Sequence, residues 1–193
     1  MLFRSPDDGA NAFLATSDMA LRINALEREV FNARDVLFVP DRTTLTPTKK
    51  DANVPNINTV PAEDAFYVDM RILPRYSIDS VLAEVEKKAR EVEAVYGVKI
   101  LFETVQRTES PPTPADAPVV ELLKSAIEAT YGVAGRAVGV GGGTVGAYLR
   151  KAGLHCAVWS RQDETMHGPN EYTKIENILG DAKVFVRLML AGR

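Results

Sequence analysis

The chain has 193 residues, 46% of them apolar and 25% charged, which suits one ordinary domain or two small ones with a buried core and excludes a disordered chain. Lys and Arg total 23 against 26 Asp and Glu, a formal net charge of −3 with the signs interspersed, so neither a nucleic-acid stripe nor a polybasic membrane patch stands out. No apolar run reaches the ~18 residues a membrane span needs and no signal-peptide pattern opens the chain, which points to a cytoplasmic protein; Cys156 is the only cysteine, so an internal disulfide and a cysteine-based zinc knuckle are excluded.

From Asn11 to Val30, Phe13, Thr16, Ala20, Ile23 and Leu26 recur at helical spacing, with Asp7 or Asp8 as the expected N-cap. A Pro- and Thr-rich stretch runs from Pro40 to Pro61; within it Thr43–Thr46 favours a strand and Asp51–Asn58 favours turns. Ala65–Leu73 alternates, placing Phe66, Val68, Met70 and Ile72 on one face and Tyr67, Asp69 and Arg71 on the other, the pattern of a half-buried strand. Pro74 stops it. Ser77 or Asp79 then opens a helix carrying Ile78, Val81, Leu82, Val85, Ala89 and Val92, which Gly97 ends, and Val98–Val105 reads as another short strand. This order predicts an α+β layer with both helices on one face of a sheet.

Ser110-Pro111-Pro112-Thr113-Pro114 denies both helix and ladder hydrogen bonding and marks the expected domain boundary. Beyond it the pattern predicts a helix over 118–131, a strand over 136–140, a glycine loop, a helix over 144–152, a strand over 155–160 and a final helix over 175–190. Strand and helix alternate, which points to parallel α/β packing. The last helix presents Ile175, Ile178, Leu179, Ala182, Phe185, Val186 and Met189 as its stripe. Two strands and three helices do not close a parallel core on both faces, so this half reads as a fraction of a larger α/β domain.

Gly141-Gly142-Gly143-Thr144 joins a predicted strand to a predicted helix, where backbone N–H groups and the helix dipole suit a carboxylate or a developing oxyanion; three glycines also simply permit a tight turn. The Walker and dinucleotide spacings are both missing. His167 lies among Asp163, Glu164 and Glu171, beyond the C-terminal end of a predicted strand, as a candidate metal ligand, whereas His155 at the start of an apolar strand reads as structural. Arg71 on the polar face of its strand suits a bidentate contact to a carboxylate, or equally a surface pair with Asp69.

Four strings, in order and spacing, resemble the zinc metallopeptidase and deacylase family that includes acetylornithine deacetylase, succinyl-diaminopimelate desuccinylase and the aminoacylases. They are Pro6-Asp7-Asp8-Gly9-Ala10-Asn11-Ala12, Asn58-Thr59-Val60-Pro61 followed by Asp69-Met70-Arg71, Gly141-Gly142-Gly143-Thr144, and His167-Gly168-Pro169-Asn170-Glu171-Tyr172. The resemblance implies that residues 1–107 are a lid and dimerisation domain lacking its first strand, and 108–193 the C-terminal part of an α/β zinc-hydrolase domain. It implies that His167 is the last ligand of a two-zinc site, with cobalt as an alternative metal, and that Asn58, Arg71, Gly142, Gly143 and Thr144 contact the carboxylate of an N-acyl amino acid. It also implies dimers formed through the lid.

The family's His-x-Asp pair, bridging Asp, Glu-Glu pair and further acidic ligand have no counterpart in this chain. Leu2 stands where the lid pattern has a His, and Val145 where many members have Asp. The expectation is therefore a fragment of a metal-dependent amidohydrolase, without catalytic residues of its own and inactive unless a separate N-terminal catalytic half supplies them. The alternative is a non-catalytic dimerisation or carboxylate-binding module.

Overall fold

The computed structural model describes residues 9–163, 165–166 and 168–191. The chain divides into two units, one built from residues up to Arg107 with Val140–Gly142, the other from Thr108–Gly139 with Gly143–Arg193. The fold is mixed α/β, in the order α1 (Ala12–Glu29), β1 (Phe38–Val39), β2 (Thr44–Lys50), β3 (Phe66–Arg71), α2 (Ile78–Tyr96), α3 (Pro118–Tyr131), β4 (Gly139–Val140), α4 (Gly146–Lys151) and α5 (Ile175–Ala191).

In the first unit, α1 starts one turn later than an Asp7 or Asp8 cap requires; both of those residues lie outside the described ones. Its N-cap is Asn11, whose side-chain oxygen accepts the Leu14 N–H at 3.2 Å. The buried stripe is Ala12, Ala15, Met19, Ile23 and Leu26. Of the residues expected on that stripe only Ile23 and Leu26 are buried. Phe13 is exposed beneath the Lys50 ammonium, 4.7 Å from its ring centre, and Thr16 is a hydrogen-bonding residue. The helix begins its contact with Ala12 and Ala15, so the first turn of its true face carries little hydrophobic weight in the sequence.

β2 and β3 pair antiparallel from Thr44↔Arg71 to Lys50↔Phe66, with a bulge between Pro47 and Lys49, where proline brings no N–H to the ladder. β2 thus runs to Lys50, past the expected end at Thr46. Phe66, Val68 and Met70 of β3, with Ile72, pack against a core made by Met19, Ile23 and Leu26 of α1, Leu45 of β2, and Val81, Val85, Ala89 and Val92 of α2. Both helices therefore cover the same sheet face, and each fully buried Leu, Ile or Val here contributes about 1.5–3 kcal/mol. Ser77 caps α2 by accepting the Ser80 N–H, and Gly97 closes it at φ 66°, a left-handed position that favours glycine.

Val98–Val105 is not a strand. The Ile100 N–H, which a ladder would use, donates to Glu93 Oε1 at 2.7 Å; Val98 and Ile100 pack on the core while Leu101 and Val105 are exposed. A strand exists only where another backbone pairs with it, and no described strand lies alongside this stretch.

The second unit is built on α3 against α5. Ala126, Ile127 and Val184 are buried between them, flanked by Leu123, Tyr131, Trp159 and Leu188. Pro118 begins α3 at its first turn and Gly132, at φ 68°, ends it. α4 is shorter than the expected 144–152 helix, and His155–Ser160 is not a strand. The expected stripe of α5 faces outward: Ile175, Ile178, Leu179, Phe185, Val186 and Met189 are exposed, and Asn177, Gly180 and Val184 are the buried positions. α5 is apolar around most of its circumference, so periodicity does not single out the face that meets α3. That face is chosen by Gly180, against which the Tyr131 ring lies.

The Pro-rich stretch is stitched into this unit. The Thr113 hydroxyl donates to the Cys156 carbonyl at 2.9 Å and accepts the Cys156 N–H at 3.0 Å, while Arg150 Nε donates to Ser110 Oγ at 3.2 Å.

Candidate carboxylate site

β3 alternation sends Asp69 and Arg71 to the sheet face opposite the core, two residues apart and therefore on the same side. Arg71 Nε donates to Asp69 Oδ2 at 2.8 Å, with both side chains about half exposed (48% and 50%). This is the pair with Asp69 that the spacing allows. It consumes one of the five guanidinium N–H groups and leaves the four on the terminal nitrogens, which have no other partner among the described residues.

The glycine run meets this arginine inside the same unit. A Cβ built on Gly141 would stand 3.2 Å from Arg71 Cβ and 3.4 Å from its Cδ, and one on Gly142 would stand 4.0 Å from Nη1. The backbone at Gly141 thus lies close against the arginine stem, and any side chain there would press on it. None of Gly141, Gly142 and Gly143 has a positive φ, so the tight-turn reading does not explain them. Bare backbone beside a guanidinium whose Nε is already fixed is an arrangement suited to a carboxylate received end-on by the terminal nitrogens.

Gly143 and Thr144 belong to the second unit. The Thr144 carbonyl accepts the Ala147 N–H at 3.0 Å, but its hydroxyl caps nothing: α4 starts at Gly146 with Val145 as N-cap and no side-chain cap hydrogen bond. Asn58 sits in an exposed turn in which the Thr59 N–H reaches the Asn56 carbonyl at 3.4 Å, and no described hydrogen bond joins it to Arg71. The loop carrying Asn58 is clasped at its base. The Asp51 N–H donates to the Ala65 carbonyl at 3.0 Å, and Asn53 Nδ2 donates to Asp64 Oδ1 at 3.1 Å.

Asp64, which no motif marks, anchors this clasp. Its side chain is 0% exposed and also bonds the Lys50 ammonium and the Thr16 hydroxyl. Burial pushes its carboxyl up, but the hydrogen bonds from Lys50, Thr16 and Asn53 outweigh burial and hold it below the ordinary carboxylate range. One acid thereby joins α1, β2 and the Asn58 loop. A solitary Asp amid turn-forming residues gives no sign of this in the sequence.

His167 and Glu164 lie outside the described residues. On either side, the Thr165 hydroxyl donates to the Tyr172 carbonyl at 2.9 Å, the Gly168 N–H donates to the Thr165 carbonyl at 3.0 Å, and Asn170 adopts a left-handed φ of 58°. Asp163 is occupied: it pairs with Lys174 at 3.1 Å and accepts the buried Asn177 amide at 3.0 Å. Hydrogen bonding to Asp163 and its charge raise the Lys174 ammonium above its ordinary value. His155 is exposed rather than structural. Among the described residues no three His, Cys, Asp or Glu side chains come together in a group able to hold a metal ion, and no helix is long and apolar enough to cross a membrane.

Residues 7–191 match peptidase family M20/M25/M40. The chain is 32% identical over 194 residues to an uncharacterised metallohydrolase of Methanocaldococcus jannaschii, covering 96% of this chain and 47% of that protein. It is 30% identical to an uncharacterised metallohydrolase of Methanococcus maripaludis, covering 95% of this chain and 48% of the relative. A succinyl-diaminopimelate desuccinylase of Cereibacter sphaeroides is 29% identical over 151 residues, 77% of this chain and 39% of that enzyme. In fold, the chain is similar to an M20 family metallo-carboxypeptidase from Sulfolobus solfataricus, with a TM-score of 0.58 at 17% identity, covering 93% of this chain and 44% of that one. The chain therefore spans about half the length of the curated relatives it matches.

Proposed function

Because this chain belongs to peptidase family M20/M25/M40, we propose that it supplies the lid and the carboxylate anchor of a metal-dependent amidohydrolase that removes the acyl group from an N-acyl amino acid. The observation that carries this reading is Arg71, fixed at Nε by Asp69 and lying along the bare backbone of Gly141 and Gly142. A planar guanidinium with four uncommitted N–H groups donates to both oxygens of an α-carboxylate. The distant similarity to a succinyl-diaminopimelate desuccinylase supports a succinylated or acetylated amino acid as the substrate class. Asn58, Gly143 and Thr144 are assigned to the same substrate by the resemblance of their strings to the family pattern.

The described residues do not fit a metal site, so no reaction step is routed through an ion held by them. In our reading His167 is one ligand of a zinc or cobalt centre, and the other ligands and the general base come from the half of the family fold that this chain does not span. The chain alone is then inactive. The exposed apolar face of α5, with Ile178, Leu179, Phe185 and Val186, is where that half docks. Residues 1–107 form the lid, through which two copies pair, and the assembled enzyme works in the cytoplasm.

The test is calorimetric titration of the chain with N-succinyl and N-acetyl amino acids, followed by hydrolysis assays with zinc, alone and with the complementary half of a relative. Expected are binding that is lost when the ligand's carboxylate is amidated or Arg71 is replaced by Ala, no turnover alone, and turnover on complementation. Binding indifferent to Arg71→Ala sinks the anchor; turnover by the chain alone with stoichiometric zinc sinks the fragment reading. Binding that persists while complementation restores nothing favours a non-catalytic carboxylate-binding module.

A further inference from the structure

Three arginines line one hollow of the first unit that no part of the carboxylate site uses. Arg28 lies in the last turn of α1, and Arg34 and Arg42 face each other across an isolated antiparallel bridge; with Glu27 and Asn32 they surround about 300 Å³. Residues directly opposite in an antiparallel pair project to the same side of the ladder, so the bridge sets two cationic stems together, an arrangement that destabilises when left uncompensated. Compensation is partial. Asp41 takes Arg34 Nη1 at 2.6 Å, but among the described residues neither Arg28 nor Arg42 has an ion-pair partner.

Glu27, the carboxylate lining the hollow, is already engaged: its Oε1 accepts the Leu45 N–H at 2.5 Å and the Asn24 amide at 3.2 Å. Three guanidinium groups against Glu27 and the Asp41 that pairs with Arg34 leave one positive charge in excess, together with uncommitted planar N–H forks on Arg28 and Arg42. A phosphate group, with about two negative charges and three acceptor oxygens, meets several forks at once.

We propose that this hollow is a binding site for a small phosphate-bearing anion, which ties the end of α1 to the 34–42 bridge. The site stands on its own geometry and is independent of the carboxylate anchor at Arg71. The probe is inorganic phosphate, titrated calorimetrically at constant ionic strength with chloride as the balancing anion, with glycerol 2-phosphate in parallel. Saturable one-to-one binding and a rise in melting temperature are expected, because a ligand that binds the folded state stabilises it. Arg28→Gln and Arg42→Gln are each expected to weaken binding about tenfold, the loss expected when charge-assisted hydrogen bonds are removed. Both side chains are exposed, so the phosphate-free melting temperatures of these variants check that folding is intact. Arg90→Gln, an exposed arginine paired with Glu93 and outside the hollow, serves as the charge-matched control and is expected to bind as the parent does. Tighter binding of the ester assigns a phosphorylated metabolite; equal or weaker binding assigns free phosphate. The absence of saturable binding, or equal weakening in the Arg90 control, overturns the proposal.

Discussion

Replacing Tyr131 by Phe removes a single oxygen, the one buried side-chain polar atom among the described residues that lacks a hydrogen-bond partner. Leaving a hydroxyl buried and unsatisfied costs roughly 1–3 kcal/mol. The ring keeps its contacts: Trp159 at 5.9 Å between centroids and the Arg161 guanidinium 4.7 Å from the ring centre. Tyr131→Phe is therefore expected to stabilise the second unit by about 1 kcal/mol, the lower part of that range, since some relaxation toward solvent is available to the parent. Gly180→Ala gives the opposite sign. A Cβ there would run into Tyr131 Oη and lie 2.7 Å from Cζ, which a rigid half-buried ring packed on Trp159 does not absorb cheaply. Overpacking costs about 1–3 kcal/mol, against a gain of about 1 kcal/mol in helix propensity. In the Tyr131→Phe background the Cζ contact remains, so Gly180→Ala stays destabilising. In a Tyr131→Ala background the clash disappears and the propensity gain emerges. Trp159 is the only tryptophan and belongs to this unit, so urea unfolding followed by its fluorescence reads the effect directly. A loss of stability on Tyr131→Phe would refute the reasoning, because it would mean that the hydroxyl has a partner.

Asp64→Asn is expected to cost about 1–3 kcal/mol through loss of its charged hydrogen bonds. It should also remove part of the chain's acid sensitivity. The folded state holds Asp64 below its ordinary value, so its contribution is whole above the ordinary carboxylate range and is lost as pH falls through the folded value; thermal melts between neutral and acid pH measure this, and an identical pH profile in the variant would count against it. Val186→Glu, on the exposed face of α5, is expected to change Trp159-detected stability by no more than about 0.5 kcal/mol. A loss above about 2 kcal/mol would show that this face packs within the chain.

The local signals read well where sequence and burial share one period. β3 shows this, with Phe66, Val68, Met70 and Ile72 alternating against Tyr67, Asp69 and Arg71, and so do the Ser77 and Gly97 ends of α2. They fail in two ways. The face of α1 begins with Ala12 and Ala15 before Met19, Ile23 and Leu26, and the face of α5 holds Gly180, so small residues mark the start of one contact side and the centre of the other. Val98–Val105 and His155–Ser160 have strand composition without a paired backbone, and pairing is not a local property. At the site, the polar orientation of Arg71 follows from alternation alone. The reason for Gly141 does not: it is a contact with a side chain far away in the sequence, visible only once β3 and the glycine run share a unit.

That contact couples the side chains that positions 71 and 141 can carry. A methyl at 141 displaces the arginine stem by a few tenths of an ångström, and a shorter residue at 71 removes the reason for having no side chain opposite it. A side chain at 141 is therefore accommodated more readily once position 71 carries a shorter residue.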